Sequence, residues 1–109
     1  MKEDIAFLKD GRSLVARLCC EIDHHTCRFL RERIDSTLFE MKPEVLILDF
    51  SDVKFMDSSG LGLILGRVEK AAALGARLEA IGLSESLYKL VRLSGIERVK
   101  NLSVKKKEI

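Results

Sequence analysis

The sequence predicts an α/β domain built on a mixed, mostly parallel β-sheet, with its elements in the order ββαβαβαβ. Two observations lead to this fold class. The nearly continuous apolar run Val45–Phe50 is typical of a strand buried on both faces of a parallel sheet. Segments with apolar residues at helical spacing alternate with such short runs, and crossover helices of this kind join parallel strands. We therefore expect helices packed on a sheet that is parallel after an initial hairpin.

The composition is that of one ordinary globular domain, which we place at residues 1–109. Hydrophobic residues make up 47% and charged residues 33% of the chain, and its net charge of +2 favours neither a nucleic-acid nor a membrane partner. No apolar run approaches the roughly 20 residues of a membrane span, and the N-terminus lacks the apolar core of a signal peptide. We expect a cytoplasmic protein with three free thiols and a solvated basic tail at Lys105–Lys107.

The chain is expected to begin with a β-hairpin. Its strands are predicted at Asp4–Leu8 and Ser13–Cys20, and the turn Lys9–Arg12 has Asp-Gly at its centre. Asp23 then follows as a candidate N-cap, because its carboxylate can accept hydrogen bonds from backbone N–H groups two or three residues on.

The stretch Cys19–Cys27, CCEIDHHTC, has the composition of a zinc site. Cys19 and Cys20 are neighbours on a predicted strand, so their side chains point to opposite faces. Cys27 belongs to the apolar side of the next helix, and zinc spacings such as C-x2-C or H-x3-H are absent. We therefore expect no metal here and interpret the stretch as a strand end, a turn and a helix cap.

Three helices are predicted from their apolar spacing and their end signals. The first follows Asp23 and is separated by Pro43 from the strand Val45–Phe50. The second runs from Ser59 to Leu74, with Gly75 as its stop. The residues expected to face inward are Cys27, Leu30, Ile34, Leu38 and Met41 in the first helix, and Leu61, Ile64, Leu65, Val68 and Ala72 in the second.

The sequence pattern predicts a strand, a helix and a final strand in the last part of the chain. The strand Arg77–Ile81 precedes a helix, Glu85–Leu93, which Ser84 caps and Ser94-Gly95 closes. The final strand is expected within Val99–Val104.

The stretch Phe55–Arg67, FMDSSGLGLILGR, is the candidate functional motif. Its Asp57, Ser58 and Ser59 lie between a buried strand and a helix start, and functional groups gather at this end of parallel strands. Gly60 and Gly62 leave the backbone open to close approach. Serine is also a good N-cap, and the residues by themselves favour plain capping over a functional role.

A family resemblance favours the functional role of this motif over plain capping. EIDHHT at Glu21–Thr26, followed by DSSGLG at Asp57–Gly62, resembles the STAS-domain anti-anti-sigma factors, and most closely their sporulation branch. The likeness continues through Ile64–Arg67 and Leu90–Gly95, so it covers most of the chain. Both segments, in this order and on this strand–helix framework, are specific to that family.

The resemblance implies a STAS-like single domain that acts as a switch protein and not as an enzyme. The unmodified form would bind an anti-sigma factor, itself a serine kinase, and so release the sigma factor. The kinase would phosphorylate Ser59, and a PP2C-type phosphatase would reverse this. ATP or ADP would belong to the kinase, so no cofactor is expected, and the free chain is expected to be a monomer. The implied partner-binding residues are Asp23, Asp57, Ser58, Gly60, Leu61, Gly62 and Gly95.

Elementary electrostatics fits a phosphate at Ser59. Phosphorylation adds about −1.5 to −2 charges, and at a helix N-terminus the group is expected to meet unpaired N–H groups and the positive end of the helix dipole. The domain should therefore accept the phosphate without unfolding.

The chain departs from the family pattern at two places. Cys20 stands where the family usually has a glycine, before the E-I-D segment. After the last strand, the family generally continues with another helix, whereas Val104–Ile109 is too short for one. The C-terminal helix is therefore expected to be short or missing.

Two other functions stay open. One is a STAS module that senses a nucleotide or another ligand without phosphorylation. The other is a serine hydrolase, since Ser58 or Ser59, His24 or His25, and Asp23 supply the residue types. The nucleophile-elbow pattern G-x-S-x-G is absent, because Met56 stands at its first glycine.

Overall fold

The computed structural model describes residues 4–108 and confirms the predicted fold class. A single five-stranded sheet has the order β1-β2-β3-β4-β5; β1 is antiparallel to β2, and the other neighbouring strands are parallel. The elements are β1 Ile5–Asp10, β2 Ser13–Leu18, α1 His24–Met41, β3 Val45–Asp49, α2 Ser59–Ala73, β4 Arg77–Leu83, α3 Glu85–Ser94 and β5 Leu102–Lys106. Residues 1–3 and 109 of the predicted domain, and with them the end of Val104–Ile109, lie outside the described part.

The hairpin is tighter than predicted. Asp10 pairs with Ser13, so only Gly11 and Arg12 form the turn. Gly11 has φ 61, which suits a glycine at the first central position of a two-residue hairpin turn. Strand β2 ends at Leu18, two residues before the predicted Cys20.

The end of the chain also differs from the prediction. A short 3-10 turn, Ile96–Arg98, follows α3, and β5 begins three residues later than expected, at Leu102. All three lysines of the expected solvated tail are exposed, but Lys105 and Lys106 belong to β5, and Lys106 Nζ lies 2.8 Å from Glu85 Oε1. With β5 starting at Leu102, this residue lies beside Leu78 in the parallel pairing of β5 with β4.

All three helices lie on one face of the sheet. Strands β2 to β5 follow one another in order, and right-handed crossovers in one direction place every connecting helix on the same side. In the parallel register, Leu14 aligns with Leu46 and Leu46 with Leu78, and each is 2% exposed or less. This face carries the main core, whereas Val15 and Ile47 on the opposite face are only half-buried.

Helix α1 packs much as predicted. Leu30, Ile34 and Leu38 are fully buried, and Cys27 is half-buried. Met41 is 38% exposed, so its predicted inward position is wrong. The helix ends at this residue, beyond the apolar face that contacts its neighbours.

The buried face of α2 differs from the predicted one. Ile64 and Val68 are buried as expected, but Leu65 and Ala72 are exposed. This helix is apolar around most of its circumference, so its sequence does not determine which side faces the core. The buried residues are Gly60, Leu63, Ile64, Arg67, Val68 and Ala71. Within the described part of the chain, no helix is long and apolar enough to cross a membrane.

Candidate functional site

The two segments that carry the family resemblance meet through a backbone bridge. Ile22 and Met56 form an isolated parallel bridge beyond the ends of β2 and β3. The Ile22 N–H donates to Phe55 O at 3.0 Å, and the Asp57 N–H donates to Ile22 O at 3.0 Å. Asp23 and Asp57, each one residue farther along, therefore lie side by side at the carboxyl edge of the sheet.

Asp23 caps α1, as predicted. Its Oδ1 accepts from the N–H of His25 at 2.8 Å and of Thr26 at 3.0 Å, and the Thr26 hydroxyl accepts from the Asp23 N–H. The backbone N–H of Thr26, followed by that of His25, lowers the pKa of the Asp23 carboxyl. Asp23 is therefore a fixed negative charge at neutral pH, and its contact with a partner stays a prediction.

Asp57, and neither serine, caps α2. The Asp57 Oδ1 accepts from the Ser59 N–H at 2.8 Å, whereas the Ser58 side chain makes no cap hydrogen bond. Among residues 4–108, the hydroxyls of Ser58 and Ser59 make no hydrogen bond at all. The plain capping interpretation of this serine pair is therefore wrong. Ser58 is exposed and Ser59 half-buried, each with an unengaged hydroxyl.

The first N–H groups of α2 are already in use. The Ser59 N–H donates to Asp57 Oδ1, the Gly60 N–H to Asp57 O at 3.0 Å and the Leu61 N–H to Ser58 O at 3.1 Å. The expectation that a phosphate on Ser59 would meet unpaired N–H groups is therefore wrong for these three positions. The helix dipole still favours an anion there.

Two glycines of the motif have different surroundings. Gly60 is buried, and a Cβ there would overlap the Met56 side chain and lie 3.3 Å from Ile22 Cγ2. Gly60 therefore lets α2 pack on the Ile22–Met56 bridge. Gly62 is exposed, and a Cβ there would meet nothing within 4 Å. Leu61 between them is half-buried against the core.

Ser59 borders a groove between α1 and α2 with a volume of about 330 Å³, lined by Cys27, Arg31, Ser59, Gly62, Leu63, Gly66 and Arg67. Burial raises the pKa of the Cys27 thiol, and the nearby carboxylates of Asp57 and Asp23 raise it further. At the far end of the groove, Arg67 is 3% exposed, with its Nε 2.8 Å from Asp35 Oδ1. Sequence reasoning missed this buried arginine, because a charged side chain within an apolar helix normally faces solvent.

The structure separates Gly95 from the other predicted site residues. Helix α3 starts after Ser84, next to the carboxyl end of β4, and runs back towards the start of β5. Gly95 therefore lies at the opposite edge of the sheet from Ser59. Its φ of 82 and the Ser94 hydroxyl, which donates to Val91 O, are the features of a helix C-terminus.

Cys20, at the position where the family usually has glycine, packs against the core and is half-buried. Burial, followed by the charge of Asp4, raises the pKa of its thiol to about 11. The side chain thus fills space beside the turn into α1.

The structure offers little support for the other chemistries considered. His24 and His25 are exposed, and no base of residues 4–108 is hydrogen-bonded to Ser58 or Ser59. The same residues contain no group of three or more His, Cys, Asp or Glu side chains arranged to hold a metal ion.

The STAS domain family model matches residues 4–108. The anti-sigma F factor antagonist of Paenibacillus polymyxa is 33% identical over 86 residues, which are 79% of this chain and 74% of that protein. The anti-sigma-B factor antagonist of Bacillus subtilis is 32% identical over 105 residues, covering 96% of this chain and 94% of that protein.

The fold comparison agrees with the sequence comparison. The anti-sigma factor antagonist SpoIIAA in its unphosphorylated form superposes with a TM-score of 0.76 at 30% identity, covering 92% of this chain and 86% of that one. The Bacillus cell fate determinant SpoIIAA in its phosphorylated form superposes with a TM-score of 0.68 at 30% identity, covering 92% and 89%.

Proposed function

This chain belongs to the STAS domain family, and we propose that it is an anti-sigma factor antagonist whose partner binding is switched by phosphorylation of Ser59. The unmodified form binds an anti-sigma serine kinase, so that the sigma factor is released. The kinase holds the nucleotide and modifies Ser59, and a PP2C-type phosphatase removes the group. The relatives named above, one of them known in unphosphorylated and phosphorylated forms, support this proposal.

The observation that carries the proposal is the unengaged hydroxyl of Ser59. Asp57 caps α2, so the serine is not needed to hold the helix start. Ser59 is half-buried and borders the groove, and Asp23 and Asp57 lie on the two loops that the Ile22–Met56 bridge joins. A hydroxyl in this position can be modified without removing any hydrogen bond of the described fold.

The proposed switch works through charge at the contact surface. An unmodified serine is neutral and is desolvated at small cost when a partner covers it. A phosphate is a hydrated dianion, and covering it next to Asp23 and Asp57 costs both desolvation and like-charge repulsion. The partner is therefore released while the domain stays folded.

The first test is phosphorylation followed by intact-mass and peptide analysis. We would incubate the full chain with ATP and an anti-sigma F-type serine kinase, alongside the Ser58→Ala and Ser59→Ala variants. We expect one phosphate, located on Ser59 and lost only in the Ser59→Ala variant. Absence of modification would favour the ligand-sensing alternative, which stoichiometric nucleotide binding by the isolated chain would then support.

The second test measures the charge effect directly. We expect Ser59→Asp to weaken binding to the same kinase by at least roughly tenfold, about 1.4 kcal/mol, with a nearly unchanged melting temperature. Ser58→Asp is the matched control, because it adds the same charge to the exposed neighbouring residue and should weaken binding less. Full binding by Ser59→Asp would contradict the charge mechanism.

A further inference from the structure

Arg31 is an arginine without an ion-pair partner in the groove that Ser59 borders. The other two arginines of α1 at this end are engaged: Arg28 Nε lies 3.2 Å from Glu32 Oε1, and the Arg33 guanidinium lies over the rings of Phe7 and Phe29. Within residues 4–108, Arg31 has no carboxylate within 4 Å. It is exposed, so its guanidinium is available to a new anion.

Arg31 of α1 and Ser59 of α2 line the same groove. Helices α1 and α2 both start at the carboxyl edge of the sheet, where the Ile22–Met56 bridge joins their N-terminal ends. Arg31 lies one turn beyond Cys27, which lines the groove together with Ser59. Side chains on a helix lean towards its N-terminus, so an arginine at position 31 is able to extend back towards the end of the groove where Ser59 lies.

The backbone cannot supply the main compensation for a phosphate here. The N–H groups of Ser59, Gly60 and Leu61 already donate within the motif. Asp57 and Asp23 add negative charge from the two loops, and burial raises the pKa of the Cys27 thiol, which therefore stays neutral. Arg67 is a cation in the same groove, but it is buried and paired with Asp35. Arg31 is therefore the groove cation left to bind the phosphate.

We propose that Arg31 binds the phosphate of phosphorylated Ser59 within the same chain, bridging α1 and α2 across the groove. The inference rests on the proposed function, since it concerns the modified form of that site. The unmodified groove is open, whereas the phosphorylated groove is closed by a charge-assisted contact. The partner then meets a surface of changed shape as well as changed charge. The contact between Arg31 and the phosphate also links α1 to α2 and compensates part of the negative charge of the dianion.

The test uses the full chain with phosphoserine placed at position 59 during translation, so that no kinase is required. Phosphorus NMR measures the second pKa of the phosphate, which is about 6 for an ordinary phosphoserine. A guanidinium in contact stabilises the dianion and lowers this pKa. We expect Arg31→Gln to raise it by roughly 1 unit, and Arg31→Lys to restore most of the lowering.

Arg28→Gln is the matched control, because it removes an equal charge one turn closer to the helix start without removing a groove residue. We expect it to leave the phosphate pKa near that of the parent phosphoprotein. Equal pKa values for the parent, Arg31→Gln and Arg28→Gln proteins would overturn the proposal, as would equal rises in both glutamine variants. Because the phosphate is installed without a kinase, this result is independent of whether a kinase modifies Ser59.

Discussion

At the residue scale, Asp57 and Gly60 organise the motif around Ser59. The Asp57 Oδ1 accepts a hydrogen bond from the Ser59 N–H and so performs the capping that the sequence predicted for the serines. Gly60 brings α2 against the Ile22–Met56 bridge, which joins the loop that carries Asp23 to the loop that carries Asp57. Asp57 accepts from a backbone N–H, and Gly60 lets two backbone segments pack closely. Neither role uses the Ser59 hydroxyl, which is available for modification. Gly60 therefore has a packing role, and its contact with a partner stays a prediction.

The two motif glycines give a residue-scale prediction. Gly60→Ala should lower the free energy of unfolding by about 1–3 kcal/mol, because the new methyl group overlaps Met56. Gly62→Ala should raise the free energy of unfolding by up to about 1 kcal/mol, because it adds helix propensity in open space. Urea unfolding of both variants measures the difference, and equal effects would contradict the assigned packing.

At the element scale, one ion pair links α1 to α2. Arg67 Nε lies 2.8 Å from Asp35 Oδ1, although neither atom meets hydrogen-bond geometry, and Asp35 is partly exposed. Burial lowers the pKa of the Arg67 guanidinium, and Asp35 opposes that effect. An arginine remains charged throughout the accessible pH range, so the buried cation needs its carboxylate.

Removal of Asp35 tests this dependence. Asp35→Ala should lower the free energy of unfolding by about 3 kcal/mol, because it leaves Arg67 buried without a counter-charge. Glu32→Ala, which breaks the exposed pair with Arg28, should change it by about 0.5 kcal/mol or less. The double variant Asp35→Leu/Arg67→Met should recover most of the loss, since an apolar pair of similar volume has no charge to compensate. A small effect of Asp35→Ala in denaturant unfolding would refute the dependence.

At the scale of the whole molecule, the centre of the sheet is more deeply buried than its two lateral strands. Strand β3 has parallel neighbours on both sides, whereas β1 and β5 have one neighbour each. Leu46 and Leu48 of β3 are fully buried, while Leu8 of β1 is 64% exposed. The loop that carries Asp57 and Ser58 leaves β3, so the candidate site is attached to this buried strand.

This arrangement predicts the order of amide exchange. The hydrogen-bonded amides of β3 should exchange only through global unfolding, and those of β1 through local opening at a lower free energy, because few buried contacts hold the edge. Native-state hydrogen exchange in increasing denaturant separates the two. Convergence of β1 and β3 amides on one opening free energy under all conditions would show that the edge is not a separate unit.

Local signals made part of this structure predictable. Asp23 and Ser84 cap their helices, and Gly75 and Gly95 follow helix ends with φ of 79 and 82, because caps and left-handed turns depend on a few neighbouring residues. The buried face of α2 was predicted incorrectly at Leu65. A helix that is apolar all round gains similar burial in several rotations, so only the surrounding elements select one.

The sequence by itself determined the order of strands and helices, the fold class, and the Asp23 and Asp57–Gly62 segments of the candidate site. These follow from periodicity, caps and motif spacing, which are local along the chain. The tertiary structure alone decided that Ile22 and Met56 meet, that Arg67 is buried against Asp35, and that Arg31 faces the groove of Ser59 while Gly95 lies at the far edge. These depend on contacts between residues distant in sequence, and only the packed sheet and helices bring such residues together.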